Sequence, residues 1–242
     1  MDLGIAGRTA LVTASSKGLG RATALALAGE GANVTICARN PEELDRTAKD
    51  IAALGGGVHA VTIDVTRPDA PARLVAETVE RFGALEIVVA NAGGPPPGRA
   101  LTLDDDAILA AVNANLLTTV RLVRESLSHL RAAGWGRIVA ITSISVKQPI
   151  ADLALSNTAR TGLWGWAKTA AQDLASDGIT LNLACPGLHR TDRVVDLGTR
   201  EGQRLGDPDD FGKVVAFLCL EPAGFVNATA VGVDGGAVMG LL

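Results

Sequence analysis

The stretch that most constrains the fold runs from Thr9 to Leu27, with the sequence TALVTASSKGLGRATALAL. It starts with a short apolar run suited to a buried strand, continues through small and glycine-bearing residues, and becomes rich in Ala and Leu from Arg21 onward. This order predicts a strand, a tight turn and a helix. Such a turn directs free backbone N–H groups and a helix N-terminus at one point, where a phosphate can bind without a charged side chain. Many strand–helix turns contain glycine and bind nothing. The motif therefore indicates a phosphate site only when its sequence context agrees.

Composition limits the class of protein. The 242 residues show no Pro/Ser-rich linker, which predicts one domain spanning 1–242. The net charge is −4 and no basic block occurs, so we expect no nucleic-acid partner. Three cysteines, odd in number and far apart, favour buried thiols in a reducing compartment. No signal peptide and no apolar run of membrane-spanning length is evident, so we expect a cytoplasmic protein that does not bind membranes.

Strand-like and helix-like segments alternate along the chain. Apolar runs suited to buried strands are followed by amphipathic segments, and one of these segments begins with a capping pattern at Asn40, Pro41 and Glu43. This alternation predicts an α/β fold, a Rossmann-type doubly wound sheet of seven parallel strands with helices on both faces. Ligands bind beyond the carboxyl ends of the strands in such folds. The predicted strands are 9–13, 33–38, 58–65, 85–90, 136–143, 178–184 and 225–233.

Several motifs, taken together, resemble those of the short-chain dehydrogenase/reductase family, especially its 3-oxoacyl-acyl-carrier-protein reductases. The turn Ala14-x3-Gly18-x-Gly20 is similar to the cofactor loop of that family, with Ala14 in place of the first glycine. We expect a negative φ at Ala14, since alanine is strained otherwise. The resemblance covers nearly the whole chain and implies binding of a dinucleotide. Further matching motifs are Asn91-Ala92-Gly93, Ser143 and the PGxxxT run from Pro186 through Gly187 to Thr191.

The second strand ends in Arg39, and no acidic residue follows directly. In dinucleotide folds an acidic residue there binds the ribose of NAD, whereas arginine accommodates the 2′-phosphate of NADP. Lys17 could add a second positive charge. Each residue alone would be an ordinary solvated charge, but together they favour NADP(H).

No metal site is expected, and His59 is interpreted as a strand residue. The resemblance implies that the cofactor contacts Thr13, Ser15, Ser16, Lys17, Gly18, Leu19, Gly20, Arg39, Asp64, Val65, Asn91, Ala92, Gly93, Arg160, Pro186, Gly187 and Thr191.

The resemblance also implies a catalytic group, and there the chain departs from the family. Asn115 matches the relay asparagine, where it could hold a water or bend its helix, and Ser143 matches the serine that orients the substrate. The positions of the family's tyrosine and lysine hold Ser156 and Arg160, and the chain contains no tyrosine. A serine hydroxyl is a far weaker acid than a phenol, and arginine does not release its proton. The two serines and Arg160 could therefore bind a carbonyl oxygen while the proton comes from elsewhere.

Two further groups are candidate proton donors. Lys147 lies in the loop that would border the substrate, and a desolvated lysine can titrate toward neutral pH. His189, within PGLHRTD, would lie beside the nicotinamide. For each residue the alternative is an ordinary solvated loop position.

Two classes of function remain open on the sequence. One is an NADP(H)-dependent oxidoreductase that interconverts a small carbonyl and an alcohol with a non-standard proton donor. The other is a catalytically inactive NADP(H)-binding relative that acts as a sensor or partner subunit. By resemblance we expect a homo-oligomer, a dimer or tetramer, formed through the helices that carry Asn115 and Trp164. Trp164 and Trp166 could instead be buried in the core. A short substrate lid is expected at about 190–207.

Overall fold

Seven strands form one parallel sheet in the order β3-β2-β1-β4-β5-β6-β7. The computed structural model describes residues 3–198 and 204–240. The strand order reverses direction between β1 and β4, which is where ligands bind in doubly wound sheets. The predicted fold class is therefore confirmed. The strands are β1 (Thr9–Val12), β2 (Asn33–Ala38), β3 (Val58–Thr62), β4 (Ile87–Ala90), β5 (Gly136–Ile141), β6 (Ile179–Pro186) and β7 (Ala230–Val233).

Eight α-helices of the described residues cover the two faces of the sheet. The helical region Asp105–Ala132 continues past Asn113 through one π-helical segment, Asn113–Leu117. Such segments widen a helix by one residue per turn and are frequent at functional sites. The helices are α1 (Gly18–Gly29), α2 (Pro41–Ala53), α3 (Ala70–Phe82), α4 (Asp105–Val112), α5 (Thr118–Ala132), α6 (Ala154–Leu174), α7 (Asp192–Leu197) and α8 (Pro208–Cys219).

Alternate strand residues face opposite sides of the sheet and form two apolar layers. Leu11 and Val88 lie in the layer that contains α3, α5 and α6, whereas Val12 and Val89 lie in the layer with α1, α2 and α8. Small side chains let α1 and α8 pack closely. A Cβ at Gly212 would lie 2.4 Å from the carbonyl oxygen of Ala22, so only glycine permits this approach.

Several strands end earlier than the sequence pattern predicts, and this positions the site. β3 ends at Thr62 and β5 ends at Ile141. Asp64, Val65 and Ser143 therefore lie in loops at the carboxyl edge of the sheet. A side chain in such a loop can face the ligand cleft, whereas a strand residue would face one of the helical layers.

The region Asp105–Ala132 is long and apolar enough, by length and composition, to span a membrane. Its apolar runs are short, because polar residues such as Asn113, Asn115 and Arg121 interrupt them, so it gives no clear membrane span. The region packs against α3, α6 and the strands β4 and β5, as a core helix of a globular domain does. About 33% of its most apolar stretch is buried within the single chain.

Candidate active site

A cleft of about 2230 Å³ lies at the carboxyl edge of the sheet, over the point where the strand order reverses. Its lining comes from the loops that follow β1, β2, β3, β4, β5 and β6, together with α4, α6 and α7. The cleft therefore occupies the place predicted for the ligand.

The β1–α1 loop forms one end of the cleft, and its backbone differs from our expectation. Ala14 has φ = +47°, so the predicted negative φ is wrong. The next residue explains the turn, because the N–H of Ser15 donates to the carbonyl of Cys37 on β2 and the chain must change direction to reach it. Gly18 also has a positive φ, +57°. A Cβ at Gly20 would lie 2.4 Å from the carbonyl oxygen of Ala14, so glycine is required where α1 crosses the loop.

Three of the residues expected to contact the cofactor, Thr13, Ser15 and Asn91, hold this loop in place. The hydroxyl of Thr13 donates to the carbonyl of Asn91 and accepts from the N–H of Asn91, at 2.7 and 2.8 Å. The amide of Asn91 donates to the carbonyl of Ala14 at 3.0 Å. The hydroxyl of Ser15 donates to Val12 and accepts from the N–H of Cys37. Thr13, Ser15 and Gly20 do not line the cleft, while Asn91 both braces β4 against β1 and lines it.

The other residues expected to contact the cofactor all line the cleft. Asp64 accepts hydrogen bonds from the N–H and hydroxyl of Thr66, and the backbone N–H in particular lowers the pKa of Asp64. At Gly93 a Cβ would meet nothing within 4 Å, so the backbone there is open to a ligand. The set that lines the cleft is Ser16, Lys17, Gly18, Leu19, Arg39, Asp64, Val65, Asn91, Ala92, Gly93, Arg160, Pro186, Gly187 and Thr191.

Arg39 and Lys17 both border the cofactor end of the cleft, but their surroundings differ. Arg39 is exposed, and no carboxylate of the described residues lies within 4 Å of it. The ammonium of Lys17 lies 3.4 Å from Asp192 and 3.8 Å from Glu43. Glu43 also accepts from the hydroxyl of Ser16 at 3.3 Å. Arg39 is therefore the freer positive charge of the two.

Four of the predicted catalytic side chains line the cleft: Asn115, Ser143, Ser156 and Arg160. Asn115 lies in the π-helical segment and is 5% exposed, and Ser156 on α6 is 6% exposed. Ser156 and Arg160 are four residues apart on one helix, so both face the cleft. The hydroxyl oxygen of Ser143 accepts from the N–H of Ser145 at 3.0 Å, which leaves the Ser143 proton free to donate to a ligand.

The guanidinium of Arg160 is buried against the end of β5. Its Nη1 donates to the carbonyls of Thr142 and Ile141, while its Nε has no partner among the described residues. Burial, and secondarily the charge of Arg193, lowers the pKa of Arg160 to about 10, so it remains a cation at neutral pH. The site thus carries a fixed positive charge next to two hydroxyl groups.

Comparison with known proteins agrees with this geometry. The family model described as short chain dehydrogenase matches residues 8–202. The chain belongs to this family. It is 31% identical over 241 residues to dehydrogenase/reductase SDR family member 4 of Sus scrofa, covering 95% of this chain and 86% of the relative. It is 33% identical over 241 residues to a 3-oxoacyl-[acyl-carrier-protein] reductase of Synechocystis sp., covering 96% and 97% of the two chains. The crystal structure of L-sorbose reductase from Gluconobacter frateurii, complexed with NADPH and L-sorbose, is similar with a TM-score of 0.93 at 29% identity, covering 100% of both chains.

The two proton-donor candidates of this dehydrogenase site lie in unfavourable places. Lys147 is exposed and does not line the cleft, so the desolvation expected of a proton-donating lysine is absent. His189 lines the cleft but is 5% exposed and packs edge-on against Phe211, with its ring centroid 5.2 Å away. Burial lowers the pKa of His189, so it is neutral at pH 7. We therefore do not assign the proton donation to either residue.

The PGxxxT segment is shaped by its neighbours. A Cβ at Gly187 would lie 2.8 Å from the Cα of Asp234, so glycine is required where β6 passes the end of β7. Thr191 precedes α7 and its carbonyl accepts from the N–H groups of Val194 and Val195. Of the expected lid, 199–203 lie outside the described residues, and only α7 and the return segment from Arg204 are described.

Two functional candidates were not found from the sequence. Arg193 of α7 lines the cleft, and its Nη2 donates to the carbonyl of Pro95 at 2.6 Å. Asn157 exchanges hydrogen bonds with the backbone of Ile150 and so holds the β5–α6 loop over the site. Neither residue belongs to a motif quoted above. The only feature of the sequence that could have indicated either of them is the polar side chain of Asn157 directly after Ser156.

Proposed function

We propose that the chain binds NADP(H) as one dinucleotide-binding domain and interconverts a carbonyl and an alcohol with a non-standard proton donor. One observation carries the proposal: Ser143, Ser156, Arg160 and Asn115 line the cleft that begins at the β1–α1 loop, and Arg160 is bonded to the residue before Ser143. A positive charge and hydroxyl donors directed at one place suit the stabilisation of a developing alkoxide.

The cofactor end of the cleft fits a dinucleotide. The first turn of α1 has N–H groups that lack partners within the helix, and its N-cap residue, Lys17, makes no side-chain cap. A pyrophosphate at this end would accept from those groups and meet the positive end of the helix. Gly93, where an added Cβ would meet nothing within 4 Å, leaves the backbone open to close approach. At the ribose end, Arg39 would bind the 2′-phosphate, with Lys17 as a second cation.

When bound, the nicotinamide supplies a hydride to the carbonyl carbon. The hydroxyls of Ser143 and Ser156 donate hydrogen bonds to the carbonyl oxygen, and Arg160 stabilises the negative charge that develops on it. We assign Arg160 the role of a fixed positive charge, because arginine is not deprotonated in proteins. Water is then the proton source, and Asn115, whose π-helical segment borders the cleft, is placed to hold it.

The test is the oxidation of NADPH by purified protein against a panel of ketones and aldehydes, followed at the absorbance of the reduced cofactor. Turnover that is lost in Ser143→Ala supports the proposal. Tight NADPH binding without turnover of any compound would instead support the second candidate, an inactive NADP(H)-binding sensor or partner subunit. The absence of any tyrosine is the observation that favours this alternative.

We further propose a homo-oligomer formed through α4, α5 and α6, the helices around Asn115 and Trp164. The incomplete burial of Asp105–Ala132 supports this, whereas the packing of Trp164 and Trp166 against the core accounts for part of their burial within one chain. Light scattering at micromolar concentration tests it, and a monomer would contradict it.

The three cysteines are free and buried, which supports the expected cytoplasmic location.

A further inference from the structure

Two arginines, Arg160 and Arg193, border the reaction end of the cleft without an acidic partner. No carboxylate of the described residues lies within 4 Å of either guanidinium. Two other cations of the cleft are paired, since Lys17 lies near Asp192 and Arg190 lies 2.5 Å from Asp207, whereas Arg39 at the ribose end is not. Among the described residues, Arg160 and Arg193 are thus two positive charges of the cleft that no carboxylate neutralises.

Arg160 makes only part of the hydrogen bonds that its guanidinium could make. The carbonyls of Ile141 and Thr142 satisfy one nitrogen, and Nε is buried without a partner. A buried charge is costly unless an opposite charge or several hydrogen bonds compensate it. Backbone carbonyls supply partial negative charge, so a ligand with a full negative charge would complete the environment.

Arg193 reaches across the cleft from α7. Its Nη2 donates to the carbonyl of Pro95, and its guanidinium lies over Gly94, where an added Cβ would come within 3.3 Å of Nε and Nη2. This contact holds the guanidinium over the β4–α4 loop. Arg193 and Arg160 line the same cleft, and the charge of Arg193 adds to the effect of burial in lowering the pKa of Arg160. Like charges repel, so an anion between them would relieve the repulsion.

We propose that the substrate carries a carboxylate near its carbonyl, that is, an oxo acid or the matching hydroxy acid, and that Arg193 binds the carboxylate. This inference rests on the proposed function of the same site. Guanidinium groups bind carboxylates with two parallel hydrogen bonds, which orients the ligand as well as attracting it. With the carboxylate at Arg193, the carbonyl oxygen faces Ser143, Ser156 and Arg160. In the reaction a C–H bond forms at the carbonyl carbon as NADPH is oxidised to NADP⁺, and the oxygen takes one proton from water. The carboxylate keeps its charge throughout.

The experiment compares 2-oxo and 3-oxo acids with their methyl esters as substrates for the wild type and for Arg193→Gln. A charge-assisted hydrogen bond pair of this kind should raise kcat/KM for the acids by roughly 10- to 100-fold over the esters. Arg193→Gln should remove most of that preference while leaving the esters within about threefold. Arg99→Gln is the matched control, because Arg99 is an exposed cation of the neighbouring loop that does not line the cleft.

A binding measurement separates this inference from the proposed function. Calorimetry in the presence of NADP⁺ should show that oxamate, a carboxylate, binds more tightly than the neutral oxamide, and that Arg193→Gln removes the difference. If esters are reduced as well as acids, or if the two ligands bind equally, the inference is wrong while the oxidoreductase proposal stands. If oxamate binds preferentially but no compound is reduced, the carboxylate site stands and the proposed reaction fails.

Discussion

The guanidinium of Arg160 donates through Nη1 to the main-chain carbonyl of Thr142, the residue directly before Ser143. This bond joins α6 to the end of β5 at the point where the chain enters the active-site loop. It also holds the positive charge of Arg160 beside the Ser143 hydroxyl instead of letting it extend into solvent. The two residues therefore belong to one rigid unit.

The double substitution Ser156→Tyr with Arg160→Lys should place a titratable phenol beside an ammonium. Because Ser156 lines the cleft, the ring can extend into open volume instead of into the core. If the site lacks only an acid, reduction of simple carbonyls should rise by roughly 10²–10⁴-fold, the usual contribution of general acid catalysis. Steady-state kinetics measures this. Abolition of the native reaction would show instead that the serine and arginine form a rebuilt mechanism whose substrate fills the space of the ring.

Ser143→Ala should lower kcat by roughly 10²–10³-fold, the loss typical for removal of one oxyanion donor. The matched control is Ser145→Ala, two residues away. The Ser145 hydroxyl is buried, has no partner among the described residues and does not line the cleft, so its loss should leave kcat within about threefold. Equal effects of the two substitutions would indicate that Ser143 acts only through the shape of the loop.

Arg39→Ala should reduce the affinity for NADPH by roughly tenfold or more, because the 2′-phosphate loses its partner. The affinity for NADH, which has no 2′-phosphate, should stay within about twofold. Fluorescence titration of both cofactors measures the ratio. Arg46→Ala on α2 is the control, because Arg46 is exposed and does not line the cleft. Should NADH bind as tightly as NADPH to the wild type, the assignment of the phosphorylated cofactor would be wrong.

Ala14→Gly should stabilise the fold by roughly 0.5–1 kcal/mol. Alanine at φ = +47° is strained by about 1–2 kcal/mol, and glycine would relieve this strain. The larger conformational entropy of glycine in the unfolded chain offsets part of this stabilisation. Urea unfolding measures the difference in the free energy of unfolding. Ala24→Gly is the contrast: Ala24 is buried in α1 and should lose stability by about 1 kcal/mol. A destabilised Ala14→Gly would contradict the strain argument.

His189 should make the folded state less stable in acid. Burial lowers its pKa below the usual 6.5, so the folded protein binds this proton less readily than the unfolded chain. The neutral imidazole therefore makes its full contribution to the free energy of unfolding above pH 6.5. This contribution is lost as the pH falls from 6.5 toward the lower pKa of the folded state. Thermal unfolding of wild type and His189→Leu between pH 5 and 8 tests this: the wild-type Tm should fall more steeply below pH 6.5. Parallel curves would show that His189 does not titrate differently in the folded state.

The sequence by itself determined the order of the elements and the doubly wound class, because the alternation of apolar runs with amphipathic segments depends on local periodicity. It also determined that Ser156 and Arg160 share a helical face, since residues four apart on a helix are neighbours. Motif resemblance placed Ser143, Asn115 and Thr191 near one another, and the cleft contains all three.

Only the tertiary structure decided which polar residues face the ligand and which hold the loops. Thr13 and Ser15 belong to the cofactor motif, yet their hydroxyls bond to neighbouring strands that are distant in sequence. Lys147 was a candidate by its distance from Ser143 along the chain, but burial depends on the packing of the whole β5–α6 loop. Arg193 enters the site because α7 lies across the cleft from Pro95, 98 residues earlier in the chain. Contacts of this kind are set by how layers pack, and no local pattern of residues encodes them.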